Sequence, residues 1–322
     1  KSLKLLGMDI SKDITFEDVG AEIAEVQALV KQTPFSKIVK LPEIEDSTLL
    51  KTLDILMEMQ PCSYNSGSLV FPITILRLLK LSILNGNSYL SYYIYMMYAL
   101  MNAKVLKDYD MSFEASKYAQ EIKKGYDKSI LTGRVNMMLA NFVMPWQNKL
   151  QESKDLRAQA YNECLEFGDY YWGIHSYIFG FYANLLTSNN LEELYSQTKT
   201  IANVSKKINQ VSQYYLCNMQ MNLIKVLSGK LDNFETLNHK EGFEQRALEE
   251  YSKQNYMCGK YDFIVARLIQ GFMFENYENA LDISLDENLD ASSLDEGIFH
   301  EAFYKVFNIL SILLLDIDGK LD

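Results

Sequence analysis

A chain of 322 residues with 48% apolar residues, 15 glycines and only five prolines can build a large core but has too few turn residues for a loop-rich β architecture. Its formal charge of −11 excludes the basic footprint that nucleic-acid binding requires. The charge is also lopsided: from Glu275 to Asp322, 12 acidic residues against Lys305 and Lys320 give −10, which leaves about −1 for the remainder.

The first predicted helix runs from about Thr15 to Val30, with Phe16, Val19, Ile23, Val26 and Val30 on one stripe and Asp13 or Thr15 as its cap. A loop carrying Pro34 and Pro42 follows, and Asp46 opens a second helix that Pro61 stops. A third spans about Leu69 to Leu84 and ends at Gly86. From Ser88 onward the pattern repeats. Helices predicted at Ser88 and Met111 form a pair, then Ile130 to Met144 with Asp155 to Phe167, and Tyr170 to Leu186 with Leu191 to Lys207. Gln213 to Leu227 pairs with Gly242 to Asn255, and Tyr261 to Phe274 with Tyr277 to Leu285. A single helix from about Ile298 to Leu315 closes the series.

First helices start near 88, 130, 170, 213, 261 and 298, at intervals of about 42, 40, 43, 48 and 37 residues. They are aromatic and poor in charge, whereas the second helices carry the Lys and Glu. A pair this short cannot bury its own apolar face and must stack on copies of itself. The expected fold is all-α: a right-handed α-solenoid of tetratricopeptide-like pairs with a period of about 40 residues. It divides into an N-terminal helical segment, 1–87, and a continuous repeat array, 88–322. No linker or low-complexity run interrupts it.

Catalytic signatures are missing. No phosphate-cradling G-x-x-x-x-G-K-[ST], no G-x-G-x-x-G after a strand and no protein-kinase motif occurs. The histidines, His175, His239 and His300, have no metal-type spacing. No cofactor, metal or enzymatic activity is expected. Cys62, Cys164, Cys217 and Cys258 lie far apart in apolar contexts, which points to a reducing compartment and the cytoplasm. The longest apolar runs are too short to span a bilayer. KSLKLLGMDI looks cut from something longer, and the last helix is apolar around most of its circumference, where a terminal cap would be polar outside. The chain therefore reads as an internal segment of a larger protein. Its acidic end is a solvated face or a docking surface for a basic partner.

Asn102, Asn141, Asn184 and Asn222 recur late in the first helices at spacings of 39, 43 and 38 residues. The recurrence fits an amide row gripping extended backbone in a concave groove, a set of polar ties between helices, or chance in an Asn-rich chain. The expected groove set is Tyr95, Asn102, Asn141, His175, Tyr182, Asn184, Asn218 and Asn222. His175 reads equally as a hydrogen-bonded interface histidine. Most of the 22 tyrosines read as packing groups.

The run AYNECLEFGDYYWGIHSYIFGFY followed by LEELYSQT resembles the helical region of very large multidomain signalling kinases. Gly168, Asp169, Gly173, Leu191, Glu192, Glu193 and Leu194 match its step into an aromatic helix and its L-E-E-L opening. KSLKLLGMDI and SILNGNSYLSYYIYMMYALM are similar to the start of that region and to its entry into the first clear repeat. The resemblance implies a tetratricopeptide-like stretch between an AAA-type ATPase module, itself preceded by a serine/threonine-kinase-like domain, and sensory and histidine-kinase domains. It carries no catalytic residue into these 322 residues. The function it implies is a non-catalytic regulatory or scaffold domain that couples flanking modules and binds a protein partner or effector. The alternative is a free-standing adaptor presenting a groove to a peptide. Expected partners are proteins, peptides or flanking domains, with no nucleic acid and no membrane insertion.

Overall fold

The computed structural model describes residues 2–11, 13–65, 67–147, 149–231, 234–238, 240–286, 289 and 299–317. Among them the chain is all helical, apart from one isolated bridge between Glu43 and Asn87.

The N-terminal segment holds α1 (Ser2–Leu5), α2 (Phe16–Gln32), α3 (Phe35–Ile38), α4 (Ser47–Glu58), α5 (Gln60–Asn65) and α6 (Val70–Asn85). Thr15 caps α2 through a capping box with Asp18, and Asp46 caps α4 by accepting from the Thr48 and Leu49 amides. Pro61 stops α4 and sits in the first turn of α5, where its missing N–H is harmless. Gly86 ends α6 at φ 121°, and a Cβ there would stand 2.3 Å from the Pro42 carbonyl oxygen. That close approach lets Asn87 clasp the preceding loop. Its N–H donates to Pro42 O at 2.8 Å, its carbonyl accepts from Ile44 N at 2.8 Å, and its amide donates to Ile38 O at 2.8 Å.

The repeating part holds α7 (Ser91–Met101), α8 (Tyr109–Lys123), α9 (Ile130–Met138), α10 (Leu150–Glu166), α11 (Tyr170–Ile178), α12 (Phe181–Thr187) and α13 (Leu191–Lys207). Then come α14 (Val211–Leu227), α15 (Phe243–Lys253), α16 (Met257–Met273), α17 (Tyr277–Ser284) and α18 (His300–Ile317). First helices begin at 91, 130, 170, 211, 257 and 300, so the spacings are 39, 40, 41, 46 and 43 residues. Each packs on its own second helix: α7 on α8, α9 on α10, α16 on α17. Each also packs on the next first helix, in the succession α7, α9, α11, α14, α16, α18. Every residue of α7 is buried, which explains its lack of charge.

Several helices meet at the same joint. One residue turns left-handed, the next donates its N–H five residues back, and a new helix starts: Gly168 (φ 72°), Asn209 (58°), Asn255 (50°) and Glu275 (60°). The closing bonds are Asp169 to Cys164, Gln210 to Ser205, Tyr256 to Tyr251 and Asn276 to Gly271, all 2.7–2.8 Å.

Three first helices predicted as continuous are not. The α7 stretch widens into a π-helical turn at Asn102–Leu106, and that of α9 at Leu139–Val143. The third breaks at Phe179 and Gly180 between α11 and α12. The break makes room for a side chain. A Cβ on Gly180 would lie 2.1 Å from Arg157 Cδ and 3.0 Å from Asn141 Oδ1.

Candidate functional site

Tyr95, Asn102, Asn141, His175, Tyr182, Asn184 and Asn222 are all buried, and Asn218 is half-buried. The expected amide row open to a concave groove is therefore corrected: these side chains are taken up by the interior. Asn102 and Asn141 sit on the two π turns, and each amide donates to the carbonyl four residues back, Tyr98 O at 2.8 Å and Met137 O at 3.1 Å. A widened turn loosens its carbonyls, and a short amide side chain can satisfy them locally. Asn218 makes the same bond to Tyr214 O at 2.7 Å. Asn141 also donates to Ser176 O in the next first helix at 3.2 Å, and Asn222 to Leu237 O at 2.9 Å. The polar-tie reading of the asparagines thus describes their bonds, and Asn102 and Asn141 coincide with helix distortions while Asn222 lies in an unbroken helix.

Asn184 belongs to a cluster around Arg157, which is fully buried. Its guanidinium donates to Asn184 Oδ1 at 2.6 Å, Ser153 Oγ at 2.8 Å and, more weakly, Ala140 O at 3.4 Å, while Nε finds no partner. Among the described residues no carboxylate lies within ion-pair distance of it, in contrast to Arg134 with Asp169 at 2.6 Å and Arg267 with Glu244 at 3.1 Å. Loss of water lowers the Arg157 guanidinium to about 10.

A second cluster ties distant repeats together. Asp262 accepts from the Gln220 amide at 3.1 Å and lies 3.3 Å from His300 Nε2, and its carbonyl accepts from Tyr182 OH at 3.1 Å. The Tyr182 ring meets His300 edge-on at 4.5 Å between centroids. His175 is buried, with Nδ1 2.8 Å from Tyr171 O and Nε2 3.2 Å from Tyr256 OH. Burial depresses its imidazole to about 4, so at neutral pH it is uncharged, donating to the carbonyl and accepting from the phenol. These contacts, with Lys107–Glu301 at 2.9 Å and Trp146 against Phe299 at 6.1 Å, tie α18 and Phe299 to helices far earlier in the chain.

Two surface clefts stand out among the described residues. The larger, about 420 Å³, lies between α2–α3 and the α7–α8 pair. Phe35, Tyr98 and Asn102 line it where the chain is buried, and Gln27, Lys31, Asp108 and Glu114 are its exposed polar members. Asp108 Oδ1 also caps α8, accepting from the Met111 N–H at 3.0 Å. Burial raises the Tyr98 phenol, so it stays protonated and can donate. The volume suits a small ligand or one or two side chains of a partner. The second, about 380 Å³, sits between α13 and α14 and includes Glu192, Tyr195, Lys225 and Lys230. Of the expected groove set, only Asn102 reaches either cleft.

Arg157, Gln220, Asp262 and the α2–α3 corner were not singled out by sequence. Asp262 interrupts an apolar helical run, which is the one signal it gives, whereas Arg157 lies among small and polar residues of α10 and gives none. His239 and part of the acidic end, 287–288, 290–298 and 318–322, lie outside the described residues. Among the described residues no group of three or more His, Cys, Asp or Glu side chains comes together to hold a metal, and no helix is long and apolar enough to cross a membrane.

Among the described residues the fold is thus all-helical, with an apolar core crossed by buried polar ties. No family model matches the chain. A stretch of 179 residues, 55% of the chain, is 22% identical to part of hybrid signal transduction histidine kinase G from Dictyostelium discoideum, and covers 5% of that protein's length.

Proposed function

We propose that the chain is a non-catalytic regulatory or scaffold element of a signalling protein, built as an α-solenoid of tetratricopeptide-like pairs and right-handed as that class is. The observation that carries the reading is the succession of contacts, in which each first helix touches its own second helix and the next first helix. The distant likeness to a signalling histidine kinase supports the setting. Because the likeness covers so little of that relative, any kinase or ATPase activity belongs to the proposal, in modules outside these residues. Three buried free cysteines fit a reducing, cytoplasmic setting.

In this reading partners meet the outside of the array, at the cleft between α2–α3 and α7–α8. It pairs an aromatic floor with rim charges of both signs, a combination suited to a peptide or a loop of a flanking module. The test is photo-crosslinking in the full-length protein, with a benzophenone amino acid at Gln27 or Glu114 and, as control, at exposed Lys199. Specific adducts with a flanking module or a second protein at the first two positions are expected. Adduct yields no higher than at Lys199 would remove the cleft from the proposal. The free-standing adaptor is the outcome if adducts form with separate proteins alone.

A further inference from the structure

The two clefts differ in how their charges are used. At the one between α13 and α14, Lys230 is paired with Glu192, and Lys225 stands over the Tyr195 ring at 5.6 Å. At the one between α2–α3 and α7–α8, Lys31, Asp108 and Glu114 reach no opposite charge within ion-pair distance among the described residues. Asp108 gives a single oxygen, Oδ1, to the Met111 N–H. These charges are also sorted. Lys31 and Gln27 come from α2 on one wall. Asp108, Met111 and Glu114 follow each other at steps of three from the cap of α8 along the other wall. Pro34 is exposed and Met111 half-buried, so an apolar stem can lie against both, above the closed floor of Phe35 and Tyr98.

We propose that the occupant of this cleft is an arginine side chain from a basic segment of a partner or flanking module. This rests on the docking reading given above and narrows it. The stem lies between Pro34 and Met111, and the guanidinium meets Glu114 and the Asp108 oxygen that the cap leaves unused. Lys31 and Gln27 face the segment's backbone, whose carbonyls accept from them. Charge selects the cation: an anion would find Lys31 alone and confront two carboxylates, on a chain of formal charge −11. Shape selects arginine over lysine, because a planar fork of five donors can serve two carboxylates at once and sheds water more readily than an ammonium. The volume of about 420 Å³ holds that side chain with a short stretch of backbone.

The probes are three blocked tripeptides, acetyl-Ala-X-Ala-amide with X arginine, citrulline or glutamate; citrulline keeps the shape of arginine without its charge. They are titrated into the full chain labelled at the methionine methyls, and the Met111 signal is followed by NMR. Saturable shifts of Met111 with the arginine peptide are expected, with a dissociation constant of about 1 mM, while buried Met137 and Met219 stay unmoved. The citrulline peptide should bind at least fivefold more weakly and the glutamate peptide not measurably. Asp108→Asn, which keeps a capping side chain, and Glu114→Gln should each weaken the arginine peptide at least threefold. Equal binding of arginine and citrulline overturns the cation and leaves the cleft a peptide site. Binding of the glutamate peptide as tight as that of arginine overturns it too, by giving the cleft to Lys31. No response of Met111 to the arginine peptide up to about 10 mM also refutes the proposal. Docking at the cleft is decided separately, by the crosslinking yields at Gln27 and Glu114.

Discussion

Arg157→Met should cost little, although it removes a fully buried cation from the middle of the array. The guanidinium carries a desolvation penalty that its depressed value of about 10 measures, against an ordinary 12.5. That difference corresponds to about 3 kcal/mol. Its two good bonds, to Ser153 Oγ and Asn184 Oδ1, offset the penalty, each worth about 1.5–3 kcal/mol for a charged donor. Methionine keeps most of the packed volume, removes the penalty and leaves Asn184 Oδ1 without a donor, a loss of about 1–3 kcal/mol. The net expectation is a destabilisation of about 1–3 kcal/mol, set by the orphaned Asn184 oxygen. Arg157→Ala leaves the same orphan and adds a cavity, so it should lose about 2 kcal/mol more. Adding Asn184→Leu to Arg157→Met removes the orphan and should recover most of the loss. Urea unfolding at neutral pH, followed by circular dichroism and by the fluorescence of Trp146 and Trp172, measures all four proteins, provided the slopes agree. If Met and Ala lose the same amount, or Met loses more than about 4 kcal/mol, the cation is compensated and the reasoning from uncompensated burial fails.

The remaining expectations are simpler. His175, held at about 4 in the fold against 6.5 when unfolded, contributes nothing above pH 6.5 and destabilises progressively as pH falls toward 4, by about 3 kcal/mol in all. In His175→Gln that part of the slope of stability against pH should vanish, and an unchanged slope would assign it to other groups. Gly180→Ala should lose about 1–3 kcal/mol in the same urea assay, since Arg157 cannot retreat from the new methyl, whereas Gly20→Ala, with open space around it, should be neutral or stabilising. A thiol reagent at neutral pH should label Cys62 alone in the native protein, because the other three are buried and burial raises the Cys164 thiol to about 12. Rapid labelling of a second cysteine would show an opening of the array.

Much of the helical order was legible in the sequence because local rules decide it. Asp46, Thr15 and Asn190 cap where hydrogen-bonding residues precede apolar stripes, and Leu191–Lys207 begins and ends as its pattern predicts. The π turns at Asn102 and Asn141 were not, because periodicity cannot see one extra residue inside a buried helix. Asn102 and Asn141 did fall on the distortion, and of the readings the sequence left open the polar tie is the one that describes their bonds. A row of polar groups on apolar helices fits a groove as well as an interior, and what separates the two is curvature. Curvature depends on contacts such as Tyr182 with Asp262, 80 residues apart, which no local pattern records.

The joints at Gly168, Asn209, Asn255 and Glu275 leave a single residue between the left-handed turn and the next helix. Such a joint has no slack, so its geometry sets the angular phase of everything downstream. One residue inserted at Asn209 would turn the second half of the molecule as a block, by roughly the 100° that one residue subtends around a helix. His300 and Glu301 would then miss Tyr182 and Lys107. The same insertion in the long connection between α14 and α15 would be absorbed. Tolerance to insertion in this protein is therefore a question of phase: lengths may drift in the long connections, but at the four joints they are counted to the residue.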